Sequence, residues 1–153
     1  MAGKYIRVTE GNGLTSDFPN KLDAVKVSSN IAIGILNKRL KRGYLCNYQA
    51  PSAACEPFIE LAAMEAQKPS DLEVALVGNV PPDEETVRDF GERITFEETI
   101  EQSRSFHKEL LATLRRKGIT NIKDYIPNGP LDRIYEITVN TEIGEIIVLD
   151  KKQ

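Results

Sequence analysis

The side chains of this sequence best suited to nucleophilic chemistry are two thiols and one imidazole, at Cys46, Cys55 and His107. A thiol attacks as its thiolate, and a neighbouring imidazole lowers the thiol pKa and later returns a proton. A hydrolase built from these groups would combine His107 with either Cys55 or Cys46. The competing interpretation is that all three residues are structural.

Local sequence patterns favour the structural interpretation of each group. Cys46 lies on an apolar strand, where a buried thiol behaves as a small hydrophobic side chain. Cys55 lies near a predicted helix start, whose dipole can lower a thiol pKa, but no histidine is close to it in sequence. His107 falls on the apolar face of a helix, where partly buried, hydrogen-bonded histidines are common. Ser28 and Ser29 offer hydroxyls, which need a general base even more than a thiol does.

Metal and cofactor chemistry has little support in the sequence. A lone histidine and two separated cysteines form no cluster of metal ligands, so no metal site is predicted. The glycines at Gly11 and Gly13 are too closely spaced for a phosphate-binding loop and precede no helical pattern. We therefore expect no cofactor.

Length and composition indicate one globular domain over residues 1–153. Hydrophobic residues at 41% and charged residues at 28% are typical of soluble proteins, and a net charge of −3 argues against nucleic-acid binding. No apolar run approaches the length of a membrane span, so no membrane insertion is expected. Two cysteines make no disulfide framework, which predicts a reducing, cytoplasmic location. The oligomeric state stays open.

Alternating apolar and polar residues predict most of the strands. The predicted strands are Lys4–Thr9, Leu22–Val27, Asn30–Leu36, Gly43–Gln49, Leu72–Val77, Ile119–Ile126, Ile134–Val139 and Glu145–Leu149. Lys38–Arg42 is expected to be the exposed turn between two strands of a hairpin. Glu10–Asn20 is expected to be a loop because it is rich in Gly, Asn, Ser and Pro, and the acidic Val80–Arg93 an exposed, mobile connection.

Helical spacing predicts two main helices, which makes the fold α+β, with mixed or antiparallel sheets flanked by these helices. The first follows Pro51, and the second begins at a capping box, Thr95–Glu98, and ends at Gly118. One face of the second helix is expected to be buried, with the residues Phe96, Ile100, Ser103, His107, Leu110, Leu111 and Leu114.

Three segments carry a resemblance to a known family: Ser28–Pro51, Ala75–Asn79, and Leu110–Gly118 with the turn and hairpin that follow it. In this order and at this spacing they resemble the chemotaxis receptor glutamine deamidase CheD. Ser28–Pro51 matches the catalytic hairpin of that family without a gap and ends on the same proline. Ala75–Asn79 matches a strand that runs into a Gly-Gly pair. Leu110–Gly118 is followed by the Asn128-Gly129 turn and a hairpin led by Arg133, as in the family's closing segment.

The resemblance covers roughly Tyr5 to Lys151, apart from Pro81–Thr95, and implies a CheD-like sandwich fold. In that family a cysteine opens the first strand of the hairpin, a histidine lies on the second strand, and a threonine precedes the cysteine. These positions correspond to Asn30, Asn47 and Ala24 in this chain. An asparagine side chain is neither a nucleophile nor a general base near neutral pH. The resemblance therefore implies that the catalytic site is degenerate.

We accordingly expect a non-catalytic CheD-like domain that binds a protein partner, which the resemblance suggests to be receptor-like helices or a CheC-like phosphatase. The carboxamides could still hold a glutamine or asparagine side chain. The expected binding residues are Ser28, Ser29, Asn30, Asn47, Gly78 and Asn79. Two alternatives stay open: a glutamine amidohydrolase with a relocated cysteine, Cys55 or Cys46 with His107, and an assembly protein that does not use the pocket.

Overall fold

A computed structural model describes residues 2–89, 94–126 and 133–152. The described strands are β1 Tyr5–Arg7, β2 Asn12–Asp17, β3 Lys21–Val27, β4 Asn30–Asn37, β5 Arg42–Gln49, β6 Glu73–Gly78, β7 Asn121–Asp124, β8 Arg133–Asn140 and β9 Glu145–Lys152. The helices are α1 Cys55–Glu65, α2 Glu84–Asp89 and α3 Phe96–Arg116, with a 3₁₀ turn at Pro69–Asp71. The Asn128-Gly129 turn lies outside the described residues.

The described strands form two mixed sheets, which confirms the predicted α+β class. Sheet A has the order β1-β3-β8-β9, and sheet B has the order β2-β5-β4-β6-β7. The β1–β3 and β6–β7 pairs are parallel, and the other neighbouring pairs are antiparallel. The two sheets face each other, and α1 and α3 cover the opposite face of sheet B.

Strand β4 lies at the centre of sheet B and is covered on both faces, as its apolar sequence predicts. Its isoleucines at 31, 33 and 35 pack against the helices. Ala32 and Leu36, on the other face, join the core between the sheets. The adjacent strand β5 alternates in the same way, so each of its side chains has a defined environment. This hairpin therefore separates two chemically different sides of the molecule.

Helix α3 begins and ends where the sequence predicts, but its buried face is displaced from the predicted one. The Thr95 hydroxyl accepts a hydrogen bond from the Glu98 backbone N–H at 3.1 Å. At the other end, Gly118 has φ +84°, and the Ile119 N–H donates to the Leu114 carbonyl, which closes a Schellman motif. The buried residues of the helix are Phe106, Leu110, Thr113 and Leu114. His107 therefore lies at the margin of the buried stripe.

The predicted loop over Glu10–Asn20 is wrong in its centre, because β2 forms there. This strand pairs with β5 at the edge of sheet B, and most of its residues are exposed. Few of its side chains enter the core, so it carries no apolar alternation for a sequence to reveal. Strand β2 is therefore held by its backbone pairing with β5 and not by burial of apolar side chains.

The expected exposed connection over Val80–Arg93 is also corrected within its described part. Val80 and Val87 are buried, and helix α2, Glu84–Asp89, forms in this segment and contains Val87. The Asp83 carboxylate caps this helix by accepting a hydrogen bond from the Thr86 backbone N–H at 2.7 Å, and this bond lowers the pKa of Asp83. Part of the acidic run thus serves a helix start.

None of the described helices is both long enough and apolar enough to span a membrane.

Candidate functional site

Asn30 and Asn47 meet on the face of sheet B that is turned toward sheet A. Asn30 opens β4 opposite Gln49, and Asn47 lies on β5 opposite Ala32, two positions further along the ladder. Side chains two positions apart share a face of the sheet. The Asn30 Nδ2 group donates a hydrogen bond to Asn47 Oδ1 at 2.5 Å. The two positions that match the family's cysteine and histidine are therefore in direct contact.

Backbone groups fix the orientation of both carboxamides. The Ser28 N–H donates to Asn30 Oδ1 at 2.9 Å, and Asn47 Nδ2 donates to the Val8 carbonyl at 3.0 Å. Asn47 is 4% exposed, so its polar side chain is held inside the protein. Each Nδ2 group uses one of its two N–H donors in these bonds and retains the other.

The two carboxamides form the floor of a pocket of about 240 Å³ at one end of the sandwich. Its walls come from the segment after β1 and from a bulge in β3. Neither segment was expected to contribute. The lining residues are Arg7, Val8, Thr9, Glu10, Val25, Lys26, Asn30 and Asn47.

The bulge in β3 presents Val25 and Lys26 to this pocket. The pairing of β3 with β8 shifts register between Ala24 and Val27, and Lys26 adopts a left-handed backbone conformation with φ +55°. Such bulges turn side chains away from the regular alternation of a strand. The lysine carries no signal in the sequence, because its position depends on backbone geometry that the alternating pattern conceals.

Ala24, at the position that matches the family's threonine, lies in the core between the sheets. It is fully buried and registers with Ile137 of β8. It packs with Leu22 and Val27 and does not line the pocket. A methyl group here contributes to packing and offers no group that could orient a base.

The other predicted binding residues lie outside the pocket lining, and several of them hold the backbone that carries Asn30. The Asn79 N–H donates to the Asn30 carbonyl, and the Val80 N–H donates to the Ser28 carbonyl, both at 2.9 Å. We call these two hydrogen bonds the backbone clasp. Gly78 lies within it, at φ +93°, and a Cβ atom added there would lie 2.1 Å from the Asn30 carbonyl oxygen.

Asn79 and Ser29 differ in their surroundings. Asn79 is buried, and its Nδ2 group donates to the Ser103 carbonyl of α3 at 3.0 Å, so it joins the end of β6 to the helix layer. Ser29 is exposed in the bend between β3 and β4. Neither Gly78 nor Asn79 lines the pocket, and both act through the backbone that carries Asn30.

Both thiols lie on the opposite face of sheet B from the pocket. Cys46 and Cys55 are buried in the core beneath the helices, within hydrogen-bonding reach of each other. Burial and the hydrogen bond to Cys55 raise the pKa of Cys46 well above its usual value. The hydrogen bond from Cys46 lowers the pKa of Cys55, which is nevertheless only 1% exposed.

We expect both native thiols to react slowly with iodoacetamide at neutral pH, because Cys46 is fully buried and Cys55, although it lines a pocket of about 190 Å³, is only 1% exposed. The rates should be at least about a hundredfold below those of the same thiols in urea-unfolded protein. Peptide mapping by mass spectrometry over a time course would measure each cysteine separately. Labelling of either thiol in the native protein at the unfolded rate would instead identify a reactive nucleophile.

His107 contacts a carboxylate on β7 and neither of the thiols. His107 Nε2 lies 2.7 Å from Asp124 Oδ2, which joins α3 to β7. Asp124 also accepts the Ile126 backbone N–H at 3.0 Å. The thiols contact each other, and no thiol–imidazole hydrogen bond forms among the residues that the structure describes. His107 therefore pairs with a carboxylate and with neither thiol.

Within the described ranges, no group of three or more His, Cys, Asp and Glu side chains is placed to hold a metal ion. The pocket instead offers carboxamides, one hydroxyl and opposite charges at its rim.

No protein-family model matches the chain, and no curated protein matches it. Among solved structures it is similar to the hypothetical protein YfiH of Bacillus licheniformis, with 14% identity and a TM-score of 0.46 over 76% of this chain and 51% of that chain. It is also similar to YlmD of Geobacillus stearothermophilus, with 17% identity and a TM-score of 0.47 over 74% of this chain and 49% of that one. The chain spans about half the length of these two proteins, and likenesses this distant carry no argument about its activity.

Proposed function

We propose that this chain is a non-catalytic CheD-like domain that binds a protein partner through the pocket floored by Asn30 and Asn47. The observation that carries the proposal is the hydrogen bond between these two side chains, at the positions where the resembled family has its cysteine and histidine. A carboxamide has no ionisable group near neutral pH, so this pair cannot generate a nucleophile or accept a proton.

The shape and chemistry of the pocket support binding. A cavity of about 240 Å³ accommodates one side chain of a partner, and its floor retains N–H donors that can be satisfied from outside. A buried polar floor discriminates between ligands, because a ligand that leaves such groups unpaired forfeits their hydrogen bonds. The resemblance suggests receptor-like helices or a CheC-like phosphatase as partners, in chemotaxis or receptor signalling.

A relocated thiol enzyme has less support. Both cysteines are buried on the far side of sheet B, and the imidazole of His107 is held by Asp124. A hydrolase needs its nucleophile and base within hydrogen-bonding reach and open to substrate.

The test is capture of partner proteins from native extract by immobilised wild-type protein and by the double variant Asn30→Ala/Asn47→Ala. We expect at least one protein to be retained by the wild type over a range of salt and to be reduced about tenfold or more with the double variant, since both hydrogen-bonding groups of the pocket floor are lost. Asn121→Ala, which removes an exposed carboxamide of β7, is the matched control and should retain the partner.

Circular dichroism must show that the double variant is folded at the temperature of the experiment. An identical set of captured proteins for the wild type and the double variant would mean that the pocket is not the binding site. A wild-type protein that retains nothing would contradict partner binding itself.

A further inference from the structure

The hydrogen bonds of the pocket floor indicate what a ligand must provide. Asn30 Nδ2 and Asn47 Nδ2 each donate one hydrogen bond within the protein, and each has a second N–H. An N–H without a partner in a buried site is more costly than a carbonyl oxygen with a free lone pair. The floor therefore favours a ligand that presents acceptor oxygens.

Lys26 adds a positive charge to the wall of this pocket. It lines the pocket from the β3 bulge with φ +55°, a backbone conformation that costs a lysine more than it would cost a glycine. Strained residues of this kind concentrate at functional sites, where the surrounding structure holds them in place. No ion pair of Lys26 forms within the described ranges, so its ammonium group is available to a ligand.

The remaining charges at the rim set the charge of that ligand. Arg7 is engaged by Asp23 through hydrogen bonds of 2.8 and 3.4 Å, which neutralise it. Glu10 is exposed at the rim and repels a second negative charge. A lysine without an ion-pair partner among the described residues, beside two N–H donors, matches a single carboxylate, while Glu10 on the same rim disfavours a ligand with more than one negative charge.

We infer that the pocket binds one carboxylate of the partner, which accepts hydrogen bonds from the Asn30 and Asn47 carboxamides and pairs with the Lys26 ammonium group. A glutamine side chain matches the floor, but its neutral oxygen can form only a hydrogen bond with the lysine, whereas a carboxylate also forms an ion pair, so the site prefers glutamate over glutamine. This inference rests on the proposed function and names the group that the pocket recognises. The carboxylate can belong to an acidic side chain or to a chain terminus.

The test uses ¹⁵N-labelled protein titrated with small probes and observed at the side-chain NH₂ signals of Asn30 and Asn47. The probes are N-acetyl-glutamate N-methylamide, its glutamine counterpart and N-acetyl-alanine. We expect both carboxylates to shift the two signals, with the glutamate probe binding about tenfold more tightly than the glutamine probe, the difference that one charged hydrogen bond makes. The tighter of the two carboxylates identifies the source, a side chain or a terminus.

Two variants of Lys26, with one control, distinguish a role of this lysine in carboxylate binding from a purely structural role. Lys26→Gln should reduce affinity for the glutamate probe about tenfold. Lys41→Gln is the matched control, because Lys41 also has a left-handed backbone, with φ +53°, outside the pocket. Lys26→Gly should raise the unfolding midpoint by relieving the backbone while it weakens carboxylate binding, a combination that a purely structural lysine would not give.

Equal affinity for the glutamate and glutamine probes would overturn the inference, as would a Lys26→Gln protein that titrates like the wild type. Either result can occur while a partner is still captured in an Asn30- and Asn47-dependent manner. The failure of carboxylate recognition is thus distinguishable from the failure of partner binding.

Discussion

Replacing Gly78 with alanine is expected to lower the free energy of unfolding by about 2–5 kcal/mol. Two costs add at this position. The φ of +93° is unfavourable for any residue with a Cβ atom, by about 1–2 kcal/mol. The new methyl group would also lie 2.1 Å from the Asn30 carbonyl oxygen and 2.8 Å from Val27 Cγ1, and overpacking of this kind costs about 1–3 kcal/mol.

Gly11 is a matched control for the backbone cost alone. It also has φ +93°, and a Cβ atom added there would meet nothing within 4 Å. Gly11→Ala should therefore lose only about 1–2 kcal/mol. Urea denaturation of the wild type, Gly78→Ala and Gly11→Ala, monitored by circular dichroism, measures the loss of unfolding free energy in each variant. Equal losses for the two variants would show that the close approach of Gly78 to Asn30 is not maintained in solution.

The double variant Asn30→Cys/Asn47→His is expected to gain a reactive thiol. Because the carboxamides of Asn30 and Asn47 are in contact, a thiol at the first position and an imidazole at the second would come within hydrogen-bonding reach. An adjacent imidazolium lowers a thiol pKa from about 8.5 to near or below 7, which raises the thiolate fraction at pH 7 by a factor on the order of ten or more. The pocket provides room for the larger ring.

The rate of iodoacetamide alkylation at pH 7 reports this gain, with the introduced thiol resolved by peptide mapping. The single variant Asn30→Cys gives the reference rate. Asn30→Cys/Asn47→Gln is the matched control, because glutamine at position 47 is similar in size to histidine but carries a carboxamide and no imidazole. A rate about tenfold above both references is expected. Equal rates for all three variants would mean that positions 30 and 47 do not form the site of a CheD-like thiol enzyme.

The sequence predicts the parts of the fold that have continuous patterns. The isoleucine run of β4 indicates a strand covered on both faces, and Thr95 and Gly118 indicate where α3 begins and ends. Strand β2 escapes prediction because edge pairing demands little of its side chains. Helix α2 escapes because its one buried residue, Val87, gives no helical period.

The site was predictable only where it depends on register. A hairpin with a short turn places residues 30 and 47 on one face, and the same alternation places Cys46 on the other face. The walls of the pocket depend on a bulge and on the positive φ of Lys26, which no alternating pattern encodes. His107 lies outside the buried residues of α3, although the sequence predicts it among them, because apolar spacing alone fixes the buried face only to within a fraction of a turn.

The backbone clasp between β6 and the start of β4 involves the carbonyls of Ser28 and Asn30 and makes no use of the side chain at position 30. A change of this side chain would remove the hydrogen bond that Asn30 Oδ1 accepts from the Ser28 N–H, but the two backbone hydrogen bonds of the clasp would remain to hold the strand in place. This independence of the clasp from the side chain makes the position a suitable place to install new reactivity by design.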